Sequence, residues 1–121
     1  MRLASSDPTP GGGSAAAVAG SLAASLLAMV AGLSQGRPKY AAYEKTLARA
    51  LAVAADARRR LLVLADDDAR AYDAFSAALK LPREAPDEIA ARGAALRSAA
   101  RHATEVPLEI IRACRLVAAE L

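Results

Sequence analysis

The residues from Ala15 to Leu33 carry no charge and offer small or apolar side chains on every side of a helix. Small residues recur at every fourth position and form a ridge of Ala16, Gly20, Ala24, Ala28 and Gly32. Larger residues form a second ridge of Val18, Leu22, Leu26, Met29, Val30 and Leu33. A helix that is apolar all round is normally a buried one. The pattern therefore predicts a first helix, ending near Leu33, that is the buried centre of the fold.

Proline and glycine mark both ends of this helix. It follows two prolines and three glycines, in the order Asp7-Pro8-Thr9-Pro10-Gly11-Gly12-Gly13-Ser14. Proline fits a first helical turn because it has no amide N–H to lose, and glycine lets another backbone or a ligand come close. The helix should therefore begin between Thr9 and Ser14. Ser34-Gln35-Gly36 predicts its end, with Gly36 available for a left-handed cap.

A second helix is predicted from about Pro38 to about Leu79, since no glycine or further proline interrupts it. Its apolar side falls into two heptad columns. One contains Tyr40, Leu47, Ala54, Leu61, Asp68 and Phe75, and the other contains Tyr43, Ala50, Ala57, Leu64, Ala71 and Ala78. The arginines at positions 58–60 lie outside both columns. We interpret them as a solvated face rather than a phosphate contact.

A loop is predicted from Lys80 to Asp87, where Pro82 and Pro86 occur. Asp87 is the predicted N-cap of a third helix, and Pro107 either kinks that helix or starts a fourth. The sequence therefore predicts an all-α bundle of three or four long antiparallel helices with short connections. Because an Ala-rich seam buries little apolar area per residue, we expect a second chain to supply the remainder in a homodimer.

Composition narrows the class of protein. The chain has 121 residues, enough for one domain, and is 55% hydrophobic but only 3% aromatic. A net charge of +3 and few aromatic residues for base stacking argue against a nucleic-acid partner. A single cysteine, Cys114, excludes an intramolecular disulfide and favours a reducing, cytoplasmic setting. The segment 15–33 is long enough to span a membrane, but its Ala, Gly and Ser content favours a buried helix.

Asp68 is the charged residue that falls in an inner column of the second helix, whereas Asp66 and Asp67 lie outside that column. A carboxylate among apolar side chains is suited to general acid–base catalysis near neutral pH. A structural role, as a cap or hydrogen-bond acceptor for another helix, is the alternative, and periodicity leaves both open. No metal site is predicted, because the single histidine, His102, has no Cys or carboxylate at a ligand spacing.

The glycine run is not a P-loop, because the Gly-Lys-Ser/Thr ending is missing. Free N–H groups at a helix start still bind anions, and tight helix packing explains the glycines equally well. Arg37 and Lys39 follow the first helix and are candidates for an anionic part of a ligand.

Several blocks resemble the formimidoyltetrahydrofolate cyclodeaminase and methenyltetrahydrofolate cyclohydrolase family. The most specific is Pro8-Thr9-Pro10-Gly11-Gly12-Gly13-Ser14. The others, in the same order as in the family, are Met29-Val30-Ala31, Gly36-Arg37-Pro38-Lys39-Tyr40, Asp66-Asp67-Asp68-Ala69-Arg70-Ala71-Tyr72, Lys80-Leu81-Pro82 and Val106-Pro107-Leu108. The chain differs from the family at Gly32, where asparagine is usual. The family also continues through further helices after the last block, so we expect residues 1–121 to be one helical domain truncated at its C-terminus.

The resemblance implies a helical, usually dimeric, cytoplasmic domain that binds a folate without a metal or redox cofactor. It implies a catalytic aspartate in the Asp-x-Asp-Ala-x-Ala-aromatic block, which fits Asp66 and Asp68, and periodicity selects Asp68. The substrate-binding candidates are Gly11, Gly12, Gly13, Ser14, Arg37, Lys39, Tyr40 and Tyr72. The implied reaction closes the ring of 5-formimidoyltetrahydrofolate and releases ammonia. The alternatives are hydrolysis of the 5,10-methenyl form and a helical module that binds folate or assembles without turnover.

Overall fold

Three long helices make up most of residues 2–121, the part of the chain that the computed structural model describes. Helix α1 spans Gly12–Ser34, helix α2 spans Glu44–Leu79 and helix α3 spans Pro86–Ala119. Two short 3-10 helices, Arg2–Ala4 and Pro38–Tyr43, precede α1 and α2. No strand occurs in residues 2–121. The predicted all-α class is confirmed.

The first helix ends as the sequence predicts. The N–H of Gln35 donates to the carbonyl of Ala31 at 3.0 Å, and Gly36 follows with a φ of +75°. A φ of this sign is open to glycine at little cost. The second helix begins later than predicted, because Tyr40 departs from helical dihedral angles within the 3-10 segment. Regular α-helical geometry therefore starts only at Glu44.

The start of α3 corrects the sequence prediction. Ala85, not Asp87, is the N-cap, and Pro86 is the first helical residue. The reason is that proline is favoured at the first helical position, which sets the boundary two residues earlier. The carboxylate of Glu88 accepts hydrogen bonds from the N–H groups of Glu84 and Ala85, both at 3.1 Å. Helix α3 continues through Pro107, so this proline starts no fourth helix in residues 2–121.

Helix α2 is the middle element of the bundle. It packs along α1 on one side and along α3 on the other, while α1 and α3 touch each other far less. Leu61 of α2 is the large side chain that is completely buried. A Cβ at Gly20 of α1 would lie 2.7 Å from the Sγ of Cys114 in α3 and 3.1 Å from the Cδ1 of Leu61. The three helices therefore pack closely together around Gly20, because this residue has no side chain.

The prediction that α1 is the buried centre of the fold is wrong for residues 2–121. Its buried side chains lie on one face: Ser14, Ala17, Ser21, Ala24, Leu27 and Ala31. The larger apolar side chains of the outer face are all more than half exposed: Leu22, Leu26, Met29, Val30 and Leu33. We call these five side chains the α1 outer stripe. The physical reason is that α2 and α3 cover only one side of α1.

Helix α1 has the length and the apolar composition of a membrane span. It is long enough to cross a bilayer, and 28% of its most apolar 18-residue stretch is buried against the other helices. The core helix of a helical bundle satisfies the same length and composition criteria.

An ion-pair cluster links α2 to α3. The carboxylate of Glu109 pairs with Arg60 of α2 and with Arg112 of its own helix, and these hydrogen bonds hold the pKa of Glu109 below its ordinary value of 4.5. The arginines at 58–60 are exposed, as predicted for a solvated face.

Acid should therefore weaken the bundle in part through Glu109. Because its pKa is lower in the folded chain, its contribution to stability is present above pH 4.5 and is lost as pH falls further. In wild type, the free energy of unfolding should fall between neutral pH and pH values below 4.5, and in Glu109→Gln this fall should be smaller. Denaturant titrations at several pH values measure the free energy of unfolding, with the exposed Glu105→Gln as the control. Equal acid sensitivity in wild type and Glu109→Gln would contradict the prediction.

Candidate active site

Two sequence blocks more than fifty residues apart meet at one end of the bundle. The hydroxyl of Thr9 donates to Asp73 Oδ1 at 2.9 Å, and the hydroxyl of Ser14 donates to the carbonyl oxygen of Ala65 at 2.6 Å. Thr9 and Ser14 are both buried, at 8% and 3% exposure. These two hydrogen bonds hold the proline- and glycine-rich segment across α2, over the stretch 65–73.

Asp68 lies beneath the first turn of α1. A Cβ built at Gly13 would lie 2.5 Å from the Cγ of Asp68 and would overlap both carboxylate oxygens. At position 13 only glycine leaves room for the Asp68 carboxylate in its observed position. At Gly12, by contrast, a Cβ would meet no atom within 4 Å. The close approach expected of the glycine run is therefore made at Gly13.

The helix start gives this end of the bundle a positive electrostatic character. The first hydrogen bond of α1 runs from the N–H of Ala15 to the carbonyl of Gly11 at 3.0 Å. The N–H groups of residues 12–14 precede it and have no partner within the helix. Such N–H groups and the helix dipole favour negative charge. The Asp68 carboxylate therefore lies next to the free N–H groups at the start of α1, which can bind an anion.

Asp68 is half-buried, which corrects the expectation of full burial among apolar side chains. Leu61 and Leu64 of the same column are buried, but Tyr72, one turn further along α2, is 46% exposed. The carboxylate is therefore partly shielded, yet it remains open to a molecule arriving from solvent. Its neighbour Asp67 pairs instead with Arg70, and Asp66 is exposed.

A polar cavity of about 450 Å³ lies beside the motif, on the Asp73 side of α2. Its lining includes Arg2, Asp7, Thr9, Asp73 and Lys80. Sequence analysis did not select any of these five residues as a site residue. Thr9 lies inside the most specific family-like block, and Asp73 directly follows the block Asp66–Tyr72. Their positions in the sequence could therefore have pointed to them. Lys80 lies in the family-like block Lys80-Leu81-Pro82, so its position was also a signal, whereas Arg2 lies in no such block.

The remaining predicted binding residues lie at the opposite end of α1. Arg37, Lys39 and Tyr40 follow its C-terminus, and a helix of 23 residues is about 34 Å long. Arg37 and Lys39 are exposed, Tyr40 is half-buried, and Lys39 Nζ lies 5.5 Å from the centroid of the Tyr40 ring. Within one chain, the structure brings Gly11–Ser14 together with Asp68. It does not bring Arg37, Lys39 or Tyr40 to them.

Residues 2–121 contain no group of three His, Cys, Asp or Glu side chains arranged to hold a metal ion. His102 is exposed on α3 and lines a shallow apolar groove between α2 and α3 with Ala74, Ala78 and Ala99. This position is separate from the end where Asp68 lies.

Comparison with known proteins gives the family. The formiminotransferase-cyclodeaminase family model matches residues 1–121, the whole chain. The chain belongs to this family. It is 44% identical over 115 residues to a methenyltetrahydrofolate cyclohydrolase of Methylorubrum extorquens, covering 95% of this chain and 55% of that protein. It is also 39% identical over 101 residues to a formimidoyltransferase-cyclodeaminase of Mus musculus, covering 84% of this chain and 19% of that protein.

A solved structure extends the comparison to the fold. A crystal structure of a formiminotetrahydrofolate cyclodeaminase from Thermotoga maritima matches with a TM-score of 0.82 and 30% sequence identity. The match covers 98% of this chain and 55% of that one. The chain thus spans about half the length of the bacterial relatives that it matches. The three-helix arrangement described above is the family fold over that half.

Proposed function

We propose that this family member binds a reduced folate at the end of the bundle where Gly13 meets Asp68. The single observation that carries the proposal is the fit of the Asp68 carboxylate under Gly13 at the open start of α1. The most specific family block supplies Gly13, and the block Asp66–Tyr72 supplies Asp68. The relatives named above act on folates according to their names, and the matched region includes both blocks. We further propose a cytoplasmic homodimer as the working form.

The reaction we propose first is that of a cyclodeaminase. N10 of the folate attacks the amidinium carbon of 5-formimidoyltetrahydrofolate, and Asp68 accepts the proton that N10 loses. The same carboxylic acid then returns this proton to the departing amine. Ammonia leaves, and the 5,10-methenyl form remains. A half-buried carboxylate that solvent can reach is suited to both transfers, because in this mechanism one group is first the base and then the acid.

Hydrolysis of the methenyl form is the second candidate. The 44% identity to a methenyltetrahydrofolate cyclohydrolase favours it. In this reaction water adds to the methenyl carbon, and the base removes a proton from that water. Asp68 has the same task in both reactions, so the acid–base chemistry proposed for this residue does not depend on which reaction is correct.

Ultraviolet absorbance of the methenyl form tests the proposal and separates the candidates. Appearance of the methenyl signal from the formimidoyl compound, with one ammonia released for each molecule formed, supports the cyclodeaminase. Disappearance of added methenyltetrahydrofolate faster than in buffer alone supports the cyclohydrolase. Folate binding with neither change would reject both reactions and leave the binding module.

The sequence prediction that Lys39 binds the anionic glutamyl tail of a folate has a direct test, although Lys39 lies beyond the end of α1 that is opposite Gly13. Charge reversal in Lys39→Glu should raise the Kd for a tail-bearing folate by about tenfold, because a charge-assisted hydrogen bond contributes roughly 1.5–3 kcal/mol. The Kd for a pterin without the tail should change far less. Titrations with both compounds measure the difference, and the exposed Lys45→Glu is the matched control. Equal weakening of both compounds would remove this assignment.

A further inference from the structure

The polar cavity beside Thr9 has no part in the proton transfers proposed for Asp68. We propose that this cavity binds the pterin ring of the reduced folate, with Asp73 accepting hydrogen bonds from the 2-amino and N3–H groups of the ring. This inference rests on the proposed function and deepens it, because it assigns one part of the substrate to one part of the chain. The cavity volume of about 450 Å³ lies within the range of small-molecule sites.

One face of α2 lines the polar cavity. Asp73, Ala77 and Lys80 are spaced four and three residues apart, so they lie on the same side of the helix. This face has a carboxylate at one end, a cation at the other and a small apolar side chain between them. Pro8 also lines the cavity and adds a second apolar surface. A flat ring with polar groups along its edge fits such a lining, because its faces contact the apolar groups while its edge reaches the charged ones.

Asp73 is oriented by a buried hydroxyl group. Thr9 Oγ1 donates to Asp73 Oδ1 at 2.9 Å, and Thr9 is only 8% exposed, whereas Asp73 itself is exposed to solvent. An ionised carboxylate has about four acceptor positions, so Asp73 has capacity for two more donors besides Thr9. The 2-amino and N3–H groups of a pterin are two adjacent donors on one edge, and they match the two oxygens of a carboxylate. The neighbouring O4 of the pterin is an acceptor, for which Lys80 supplies a donor.

The balance of charge in the polar cavity favours the pterin ring over the glutamyl tail of a folate. Arg2 and Lys80 carry positive charges, and Asp7 and Asp73 carry an equal number of negative charges. The glutamyl tail is anionic, so the two aspartates would repel it. The pyrimidine half of the pterin is uncharged and has both donors and acceptors on its edge. A lining with both signs of charge therefore suits the ring better than the tail.

The polar cavity and the Asp68 carboxylate lie at the two ends of one short segment. Thr9 contacts Asp73, and Gly13 lies over Asp68, so residues 9–13 run beside α2 between the two aspartates. Five residues of an α-helix rise about 7.5 Å. The bicyclic ring of a folate and its C9–N10 arm span a distance of this order. A pterin bound by Asp73 at its N3 edge therefore directs N5 and N10 toward Asp68, where the proton transfers are proposed.

Calorimetric titration with 6-methyltetrahydropterin, which has the ring but no tail, tests the assignment without any need for turnover. We expect wild-type protein to bind it and Asp73→Asn to raise its Kd by at least about tenfold, because the amide NH2 group then faces donors of the ring. Asp7→Asn is the matched control, since it removes the same charge from the same cavity. Its Kd should stay within about twofold of wild type. A large loss of affinity in Asp7→Asn with none in Asp73→Asn would overturn the assignment.

A second measurement changes the ligand instead of Asp73. The 2-dimethylamino analogue of the same pterin has lost both amino hydrogens, so wild-type protein should bind it at least about tenfold more weakly. Equal affinity for the two pterins would overturn the assignment, even if Asp73→Asn failed to fold. Thr9→Val should also weaken binding of the parent pterin, because the carboxylate of Asp73 loses the hydroxyl that orients it. Thr9→Ser keeps this hydroxyl and should restore the affinity.

The outcomes separate this inference from the proposed function. Wild-type protein that binds neither tetrahydrofolate nor 6-methyltetrahydropterin contradicts both. Turnover of a folate by wild type, combined with unchanged pterin affinity in Asp73→Asn, contradicts only the assignment of the pterin to the polar cavity. Weaker binding of p-aminobenzoylglutamate in Asp73→Asn, without weaker binding of the pterin, would place the tail in the cavity and overturn the assignment as well. In the last two cases the role proposed for Asp68 stands.

Discussion

Asp68→Asn is expected to lower turnover by at least about a hundredfold, the scale on which general acid–base catalysis contributes. The amide has nearly the shape of the carboxylate, but it does not accept and return a proton. The fold should persist, because Asp68 is only half-buried. Loss of a favourable charge near the start of α1 should change the unfolding free energy by less than about 1 kcal/mol.

Absorbance kinetics and thermal unfolding together decide this prediction. The control is Asp66→Asn, which removes the same charge from an exposed position in the same block. Asp66→Asn should retain most of the activity. Full activity in Asp68→Asn would show that Asp68 does not transfer the proton. A large loss in Asp66→Asn with none in Asp68→Asn would move the catalytic role to the other aspartate of the motif.

The sequence predicted the helices well because their ends depend on local chemistry. Gly36 has the positive φ expected of a helix-ending glycine, and α2 ends at Leu79 as predicted. At the start of α3 two local preferences competed. Asp87 is a good N-cap residue, but Pro86 is better suited to the first turn than to the position before it. The proline determined the boundary, so the prediction was wrong by two residues.

The arrangement of the helices was less predictable, because it depends on contacts that periodicity does not record. An apolar pattern on all sides of α1 indicates that both of its faces are buried, but it does not indicate which element packs on each face. In residues 2–121, α2 and α3 cover the face with Ala17 and Ala24, and the outer stripe stays exposed. The α2 columns were correct in the middle of the helix, where Leu61 and Leu64 are buried, but Tyr40 and Tyr43 precede α2 and Tyr43 is 60% exposed.

In the candidate site too, features set by neighbouring residues were predicted, whereas contacts between distant residues were not. Periodicity selected Asp68, and the glycine run indicated a close approach, but their contact joins residues 55 positions apart in the sequence. The hydrogen bond from Thr9 to Asp73 was missed for that reason. Arg37 and Lys39 were grouped with the same ligand, although a rigid helix separates them from Asp68 in one chain.

Gly13→Ala is expected to reduce turnover by on the order of a hundredfold, although no atom of the Asp68 carboxylate is altered. The added Cβ would lie 2.5 Å from the Cγ of Asp68, so the carboxylate must rotate away. Displacing a catalytic group by about 1 Å is sufficient for a loss of this size. The helix itself should remain, because Asp68 is half-buried and free to move toward solvent, and alanine is a better helix former than glycine by roughly 0.5–1 kcal/mol.

A double variant shows whether Gly13 acts through Asp68. If the only effect of the Cβ is to displace the carboxylate, adding Gly13→Ala to Asp68→Asn should cause little further loss, because the two changes remove the same contribution. The control is Gly32→Ala in the same helix, where a Cβ meets nothing within 4 Å, and it should keep wild-type activity. A multiplicative loss in the double variant would instead assign Gly13 a separate task, the close approach of the folate to the start of α1.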